Sequence, residues 1–303
     1  MKTLSLLLML VCTASAQLVQ EVRAAIAGND FAGGEKRIAS YRAREGATPE
    51  MILALSWLGR GAQAAKQWDH AERYAVETRK LVLESLQKRP LDQEPDLPLA
   101  LGASIEVQAH VMAARNERTE AILFLEREVK TYYNTSIRTR LQKNIHLLSL
   151  VGKPAPALDT REYLGPKPAS VASLKGKPVI LFFWAHWCGD CKKQAPILQR
   201  LQEQFQAQGL TIIGPTQRYG YVAGGVDAGP AGELNYIRQV HEQYYAGLRM
   251  TVPVSEDNFK NFGSSSSPTL VVIGRNGIVS LYHPGGMSYE ELLPVVTKAV
   301  ALN

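Results

Sequence analysis

The sequence predicts an all-helical N-terminal domain followed by an α/β domain with a central mixed β-sheet. Three observations carry this expectation. Between Gln17 and about Val151 no stretch reads as strand. Gly152-Lys153-Pro154-Ala155-Pro156 then sets two prolines within three residues, which stops a helix and marks a boundary. Beyond it, apolar strand-type runs alternate with helical spacings, the pattern of a layered α/β domain. A length of 303 residues fits about two domains.

The chain opens with Lys2, the apolar run Leu4 to Val11, and Ala14-Ser15-Ala16 before Gln17, the three parts of a secretory signal peptide. The apolar core is too short to span a bilayer. The competing reading is an uncleaved hydrophobic first helix. A lipid anchor on Cys12 is disfavoured because Val11 stands where a small residue is expected. Cleavage after Ala16 removes Cys12, so the mature chain keeps Cys188 and Cys191 alone among its three cysteines. Export places that pair in an oxidising compartment, periplasmic or otherwise extracytoplasmic, either free or membrane-associated. Action as a reductant there requires an external electron supply.

Residues 17–151 are expected to form a helical domain, tetratricopeptide-like or a plain bundle. Breaks fall at Gly28-Asn29-Asp30, Gly46-Ala47-Thr48-Pro49, Pro90 to Pro98 and Asn134-Thr135-Ser136. Thr48 before Pro49 and Glu50 is a helix start with proline at the first position, and Asp96 before Leu97-Pro98 is a second candidate. Residues 62–74 and 112–124 echo each other at an offset of 50: a small-residue helix, a short polar turn, then alanine with an aromatic three positions on. The Leu58-Gly59…Ala62…Ala71 spacing resembles one tetratricopeptide repeat, although that family's period is about 34. Trp57, Trp68, Tyr74 and Phe124 read as core rather than ligand site.

Residues 152–303 are expected to form the α/β domain. Strands are predicted at 179–184, 210–214, 269–273 and 278–282, the last two joined by a hairpin at Asn276-Gly277. Helices are predicted at about 190–208, 233–246 and 288–301. The glycine-rich stretch 219–232 reads either as a lid or as a surface excursion. Net charge is +6, divided evenly: residues 1–150 hold 20 Lys and Arg against 17 Asp and Glu, and the remainder holds 14 against 11. A nucleic-acid role predicts basic clustering, which is missing, so no nucleic-acid partner is expected.

The chain is organised around Trp184-Ala185-His186-Trp187-Cys188-Gly189-Asp190-Cys191-Lys192. The apolar run Val179 to Trp184 leads in, and Ile197, Leu198, Leu201 and Phe205 lead out at helical steps. The cysteines therefore stand where a buried strand gives way to the first turn of a helix. Residues i and i+3 share a helix face, so the sulfurs can meet. The unpaired N–H groups of the helix start favour a thiolate at the first cysteine. A zinc site needs four ligands; there is no second pair, and His186 and His283 lack ligand spacing, so no metal is expected. Two unrelated core cysteines are the remaining alternative.

These residues resemble the thioredoxin active-site motif. Ser267-Pro268-Thr269 resembles the cis-proline loop of that superfamily, and Gly285 the glycine that borders its substrate groove. The entry at 152–156 and Ser173-Leu174-Lys175-Gly176-Lys177-Pro178 resemble the exported TlpA/ResA-type branch. The resemblance implies a thioredoxin-like domain over residues 152–303. It implies an exported thiol–disulfide oxidoreductase with Cys188 as nucleophile and Cys191 as resolving thiol, working without cofactor. Client proteins with disulfides or thiols are the implied partners, with an upstream electron donor that can be membrane-embedded; oligomeric state is left open. Trp187, Gly189, Asp190, Ser267, Pro268 and Gly285 are the implied substrate-binding residues. A cis Pro268 turns the chain beside the cysteines and leaves the preceding backbone to pair with an extended client. Trp187 shields the nucleophile or simply packs at the strand end.

Two positions depart from the family. Thioredoxin carries a buried carboxylate where Phe182 stands, and ResA-type reductases carry a proton-shuttling glutamate where Gln194 stands. Asp190 is the nearest acidic substitute, with Lys192 and Lys193 opposing its effect on a thiolate. Two rival functions are a helical-repeat adaptor with a docking thioredoxin fold and a thiol peroxidase. The peroxidase reading lacks a Thr or Ser three residues before Cys188, where Ala185 stands.

Overall fold

The computed structural model describes residues 6–301, with side chains described from residue 17 onward. The first five residues of the expected signal peptide, and the side chains of its remainder, lie outside the described residues. The chain divides into two compact units, Met1–Leu141 and Gln142–Asn303. That division falls ahead of the Gly152 linker at which the sequence places its boundary.

The first unit is helical: α1 (Leu6–Ala27), α2 (Phe31–Glu45), α3 (Pro49–Ala64), α4 (Trp68–Leu86), α5 (Asp96–Ala114), α6 (Arg118–Thr131) and the start of α7 (Arg138–Ser149). The pairs α1–α2, α3–α4 and α5–α6 are closed by one recurring turn. Its central residue is left-handed each time: Asn29 (φ 58°), Lys66 (φ 58°) and Asn116 (φ 67°). The following N–H returns to the helix five residues back, Asp30 to Ala25 at 2.8 Å, Gln67 to Ala62 at 2.8 Å and Glu117 to Met112 at 2.9 Å. This is a Schellman closure, which satisfies carbonyls that the helix end leaves orphaned. The echo at 62–74 and 112–124 covers the second and third of these turns.

Small residues let the pairs approach. A Cβ on Gly59 would lie 3.6 Å from the Tyr74 Cβ and 3.7 Å from the Ala75 nitrogen. Helix α5 is long and apolar enough to cross a bilayer. It nevertheless packs against α3, α4 and α6, and Leu97, Leu101 and Ile105 are fully buried. A helix apolar on all sides is explained by such a central position. Thr48 caps α3 as expected, its side chain accepting from the Met51 N–H at 3.2 Å with Pro49 next. Asp96 does not cap α5; the helix begins on it after Pro95, and it lies in the first turn. Tyr74 and Phe124 are core, whereas Trp57 is half-buried between the Arg23 and Arg60 guanidinium groups, 4.4 and 4.1 Å from its ring centre.

The second unit runs β1 (Tyr163–Leu164), β2 (Val179–Phe183), α8 (Gly189–Gln204), β3 (Thr211–Ile213), α9 (Pro230–Tyr244), β4 (Met250–Pro253), α10 (Glu256–Phe262), β5 (Thr269–Ile273), β6 (Val279–Pro284) and α11 (Tyr289–Ala301). The six strands form one mixed sheet in the order β1-β4-β3-β2-β5-β6. Strands β2, β3 and β4 are parallel neighbours, and β5 runs antiparallel to both β2 and β6. The sequence reading omits β1, β4 and α10. Helix α8 ends at Gln204, short of the expected 208, because beyond Phe205 the N–H groups return three residues instead of four, Gln206 to Glu203 and Gln208 to Phe205.

Strand β2 is buried on both faces, as an unbroken apolar run requires. Ile180 and Phe182 face the layer holding Leu198 and Leu201 of α8 and Leu292 and Val296 of α11. Val179, Leu181 and Phe183 face Phe259 and Phe262 of α10. Strand alternation divides the two cores and leaves the end of β2, with α8 following it, at their shared edge.

Candidate active site at the start of α8

Trp184 continues past β2 and is fully buried. Its indole donates to the Gly214 carbonyl at 2.9 Å, its own N–H donates to the Pro215 carbonyl at 3.1 Å, and the Thr216 hydroxyl donates to its carbonyl at 2.9 Å. This lattice fixes the strand end from which Ala185 to Trp187 turn into α8. Cys188 is the N-cap of α8, and its sulfur accepts the Cys191 N–H at 3.0 Å. The two cysteines are disulfide-bonded, with Cα atoms 5.3 Å apart. Both are buried, Cys188 at 4 % exposure and Cys191 at 0 %, while Trp187 beside them is 49 % exposed. Gly189 is exposed and has open space where a Cβ would stand. Asp190 is exposed, and its carboxylate accepts from the Lys193 ammonium at 2.9 Å.

The second predicted segment lies against α8 at Gln194. The Ser267–Pro268 peptide bond is cis. Gly285 is left-handed (φ 112°) and donates its N–H to the Pro268 carbonyl at 2.8 Å. A Cβ on Gly286 would lie 3.2 Å from the Gln194 Oε1 and 4.0 Å from the Pro268 Cγ. Gln194 of α8 is buried, and that oxygen accepts the Met287 N–H at 2.8 Å, so the amide ties α8 to the turn after β6. Phe182 is core, in edge contact with Tyr245.

Sequence reasoning missed the polar cluster on the other flank. His186 is 1 % exposed, and its Nε2 lies 3.2 Å from the Glu233 carboxylate, itself 1 % exposed. Burial pushes the His186 imidazole below the ordinary histidine range, against the opposing pull of Glu233. Glu233 sits in the first turn of α9, where the helix dipole favours an anion. It also accepts the backbone N–H groups of Tyr219, at 2.5 Å, and Gly220, at 2.9 Å. A buried carboxylate is tolerable only when charge-assisted hydrogen bonds of this kind replace its water. Tyr219, Tyr221 and Tyr236 surround the His186 ring edge-on, with centroids 5.3–5.5 Å away. The Tyr219 ring also meets Trp187 edge-on at 5.4 Å, and the nearby Gln217 and Ser267 side chains oppose the effect of burial on its phenol. Burial raises that phenol to about 12.

The glycine-rich stretch is exposed over residues 223–227. It closes on itself through a Tyr221–Asp227 bridge and a Val222 N–H to Val226 carbonyl bond at 2.8 Å, and Glu233 holds its root. The available signal was His186 itself. A polar ring set in a buried run demands a partner, and an acidic residue just inside a helix start is a suitable one.

Comparisons with known proteins find the following likenesses. The AhpC/TSA family matches residues 151–222. Thiol:disulfide interchange protein DsbE of Pseudomonas fluorescens biotype C is 27 % identical over 132 residues, 43 % of this chain and 64 % of the relative. The match therefore spans less than two thirds of that relative. Thiol-disulfide oxidoreductase ResA of Bacillus thuringiensis subsp. konkukian is 26 % identical over 142 residues, 47 % of this chain and 74 % of the relative. Among solved structures, a thiol:disulfide interchange protein of the thioredoxin family from Chlorobium tepidum matches 50 % of this chain and 97 % of its own at 25 % identity, with a TM-score of 0.37. The chain is a helical region followed by a thioredoxin-like α/β unit with a mixed sheet.

Proposed function

We propose that the protein is an exported thiol–disulfide oxidoreductase that exchanges electrons with disulfides of partner proteins through Cys188 and Cys191. The observation that carries this reading is the bonded pair at the start of α8, with the Cys188 sulfur receiving a helix-start N–H. That donor and the helix dipole stabilise negative charge on Cys188, which makes it the nucleophile.

In the reducing direction the Cys188 thiolate attacks one sulfur of a client disulfide. A mixed disulfide forms and the first client thiolate leaves. Cys191 then attacks the Cys188 sulfur, re-forming the internal bond and releasing the second client thiolate. Two electrons pass to the client, and each released thiolate takes a proton from solvent. The oxidising direction is the reverse. Neither direction needs a metal or an organic cofactor. Trp187, Gly189 and Asp190 line the approach to Cys188, and Ser267, Pro268 and Gly285 supply the facing loop on which an extended client segment would lie.

The signal-peptide pattern at residues 1–16 supports export, which calls for an upstream electron donor if the protein acts as a reductase. The DsbE and ResA names of the relatives support disulfide-bearing clients. The recurring hairpins of residues 17–151 support a tetratricopeptide-like platform that selects partners or forms dimer contacts. Insulin reduction is the direct test: Cys188→Ser is expected to abolish turnover, and undiminished activity in that variant removes the nucleophile. The midpoint potential against a dithiothreitol ladder then fixes the direction, very negative for a reductase and near those of disulfide-forming enzymes for an oxidase.

A further inference from the structure

Resting on that exchange reading, we propose that Tyr219 is a specificity-determining wall of the client groove and that Glu233 is the positioning residue that holds it there. The site then prefers client cysteines flanked by an apolar or aromatic side chain. The Cys188 sulfur is buried, and the indole of Trp187, the residue before it, is half-exposed. Tyr219 stands edge-on against that indole at 5.4 Å, and Ser267, the residue before Pro268, is near enough to its phenol to offset part of the effect of burial. One side chain therefore lies between the residue before the nucleophile and the cis-proline loop. An indole and a phenol set edge-to-face offer a flat apolar ledge, and such rings gain most from another ring or a branched apolar side chain.

Glu233 makes this wall rigid. Tyr219 and Gly220 follow the last sheet bridge, Thr216 to Val254, so their N–H groups have no ladder to join. The Glu233 carboxylate takes both, and it also takes the ring of His186, the residue before Trp187. A single carboxylate thus fixes both ends of the Trp187–Tyr219 contact. In Glu233→Gln one acceptor oxygen becomes an NH2 group, so one of the three donors faces another donor and the loop root is released.

The test uses the reduced full-length protein and two peptide disulfides that differ only in the residue after cysteine, Phe or Ser. Stopped-flow tryptophan fluorescence follows oxidation of the protein. Each event takes two electrons from the Cys188–Cys191 dithiol and yields two peptide thiols. The quantity read is the ratio of the two second-order rate constants. Within one variant this ratio cancels both the folded fraction and the reactivity of the Cys188 thiolate, so damage that is merely structural does not move it. The wild type is expected to favour the Phe peptide by about fivefold or more. Tyr219→Ala is expected to bring the ratio to within about twofold of one, Glu233→Gln to reduce it by about threefold, and Tyr219→Phe to preserve most of it. A wild-type ratio near one, or an unchanged ratio in Tyr219→Ala, overturns the wall. An unchanged ratio in Glu233→Gln overturns the positioning role. Should Tyr219→Ala not fold, Tyr219→Leu gives the same reading, since it keeps bulk without a ring and is expected to lower the ratio. Exchange with neither peptide in the wild type sinks the exchange reading itself, whereas exchange without preference sinks this inference alone.

Discussion

The two units place left-handed backbone on different residues, and the difference shows how each is held together. In the helical unit, positive φ outside glycine occurs at Asn29, Lys66 and Asn116, the middles of the three hairpin turns. In the second unit every described positive φ belongs to a glycine, among them Gly209, Gly263, Gly277 and Gly285. The helical turns are short, local and repeated, so neighbouring helices hold them even with an unfavourable residue. In the second unit the Gly263 turn lies against the backbone of a segment distant in sequence, where a side chain has no room, whereas at Gly209 and Gly277 a Cβ would meet open space. Stability in the first unit is therefore distributed over similar joints, whereas in the second it concentrates at a few contacts.

Gly263 offers the largest test of this contrast. It closes α10 in left-handed geometry (φ 60°), and a Cβ there would lie 2.3 Å from the backbone nitrogen of Lys143. Backbone cannot swing aside as a flexible side chain can. Gly263→Ala combines that clash with the left-handed penalty, and a loss of about 3–5 kcal/mol is expected. Urea unfolding reads the loss, and hydrogen exchange is expected to locate it in residues 142–301. Retained protection there would show that the second unit absorbs strain as easily as the first.

Acid sharpens the comparison by a smaller amount. His146, His186 and His241 of the second unit are all pushed below the ordinary histidine range, chiefly by burial. The fold prefers each ring neutral, so the unfolded chain binds these protons first. Their contribution is complete above the ordinary pKa of about 6.5, and it is lost as pH falls from there toward each depressed value, at up to about 1.4 kcal/mol per pH unit per ring. In the helical unit burial raises the Glu50 and Asp96 carboxyls. The folded state takes those protons first, so falling pH favours that fold as it crosses the raised values. Between pH 7 and 5, exchange protection corrected for intrinsic rate is expected to fall in the second unit and to hold in the first. Equal losses in both would remove the assignment to the three histidines.

The same division governs what could be read before folding. Helical periodicity, Thr48-Pro49 and the Asn276-Gly277 hairpin are local signals, and the structure places those features where the residues put them. The redox pair was legible because its meaning lies in a strand running directly into a helix. Strand β4 and helix α10 were missed because four- and seven-residue elements give periodicity too little length, and β4 is defined by its pairing with β3. Glu233 was invisible for a related reason. Forty-seven residues separate it from His186, and alone it is indistinguishable from any acidic residue near a helix start. Gln194 stands where the ResA-type resemblance implies a glutamate, and its bond to the Met287 N–H exists only because the turn after β6 returns to α8.

The smallest effect tests the helical side directly. Lys66 is exposed and left-handed, a conformation that costs an L-residue about 1–2 kcal/mol but is nearly free for glycine. Asparagine tolerates it better than lysine, because its short side chain can bond locally. Glycine also loses more chain entropy on folding, which returns part of the gain. Lys66→Gly is therefore expected to stabilise the helical unit by about 0.5–1 kcal/mol, and Asn116→Gly by less. The urea midpoint should rise with an unchanged m-value, since neither change alters the surface exposed on unfolding. At Gly277 in the second unit (φ 81°), where a Cβ meets open space, the opposite change Gly277→Ala isolates the left-handed penalty without a clash. It should destabilise by an amount similar to what Lys66→Gly gains. If Gly277→Ala costs far more, or Lys66→Gly gains nothing, then the turns of the two units differ in more than the room each leaves for a side chain.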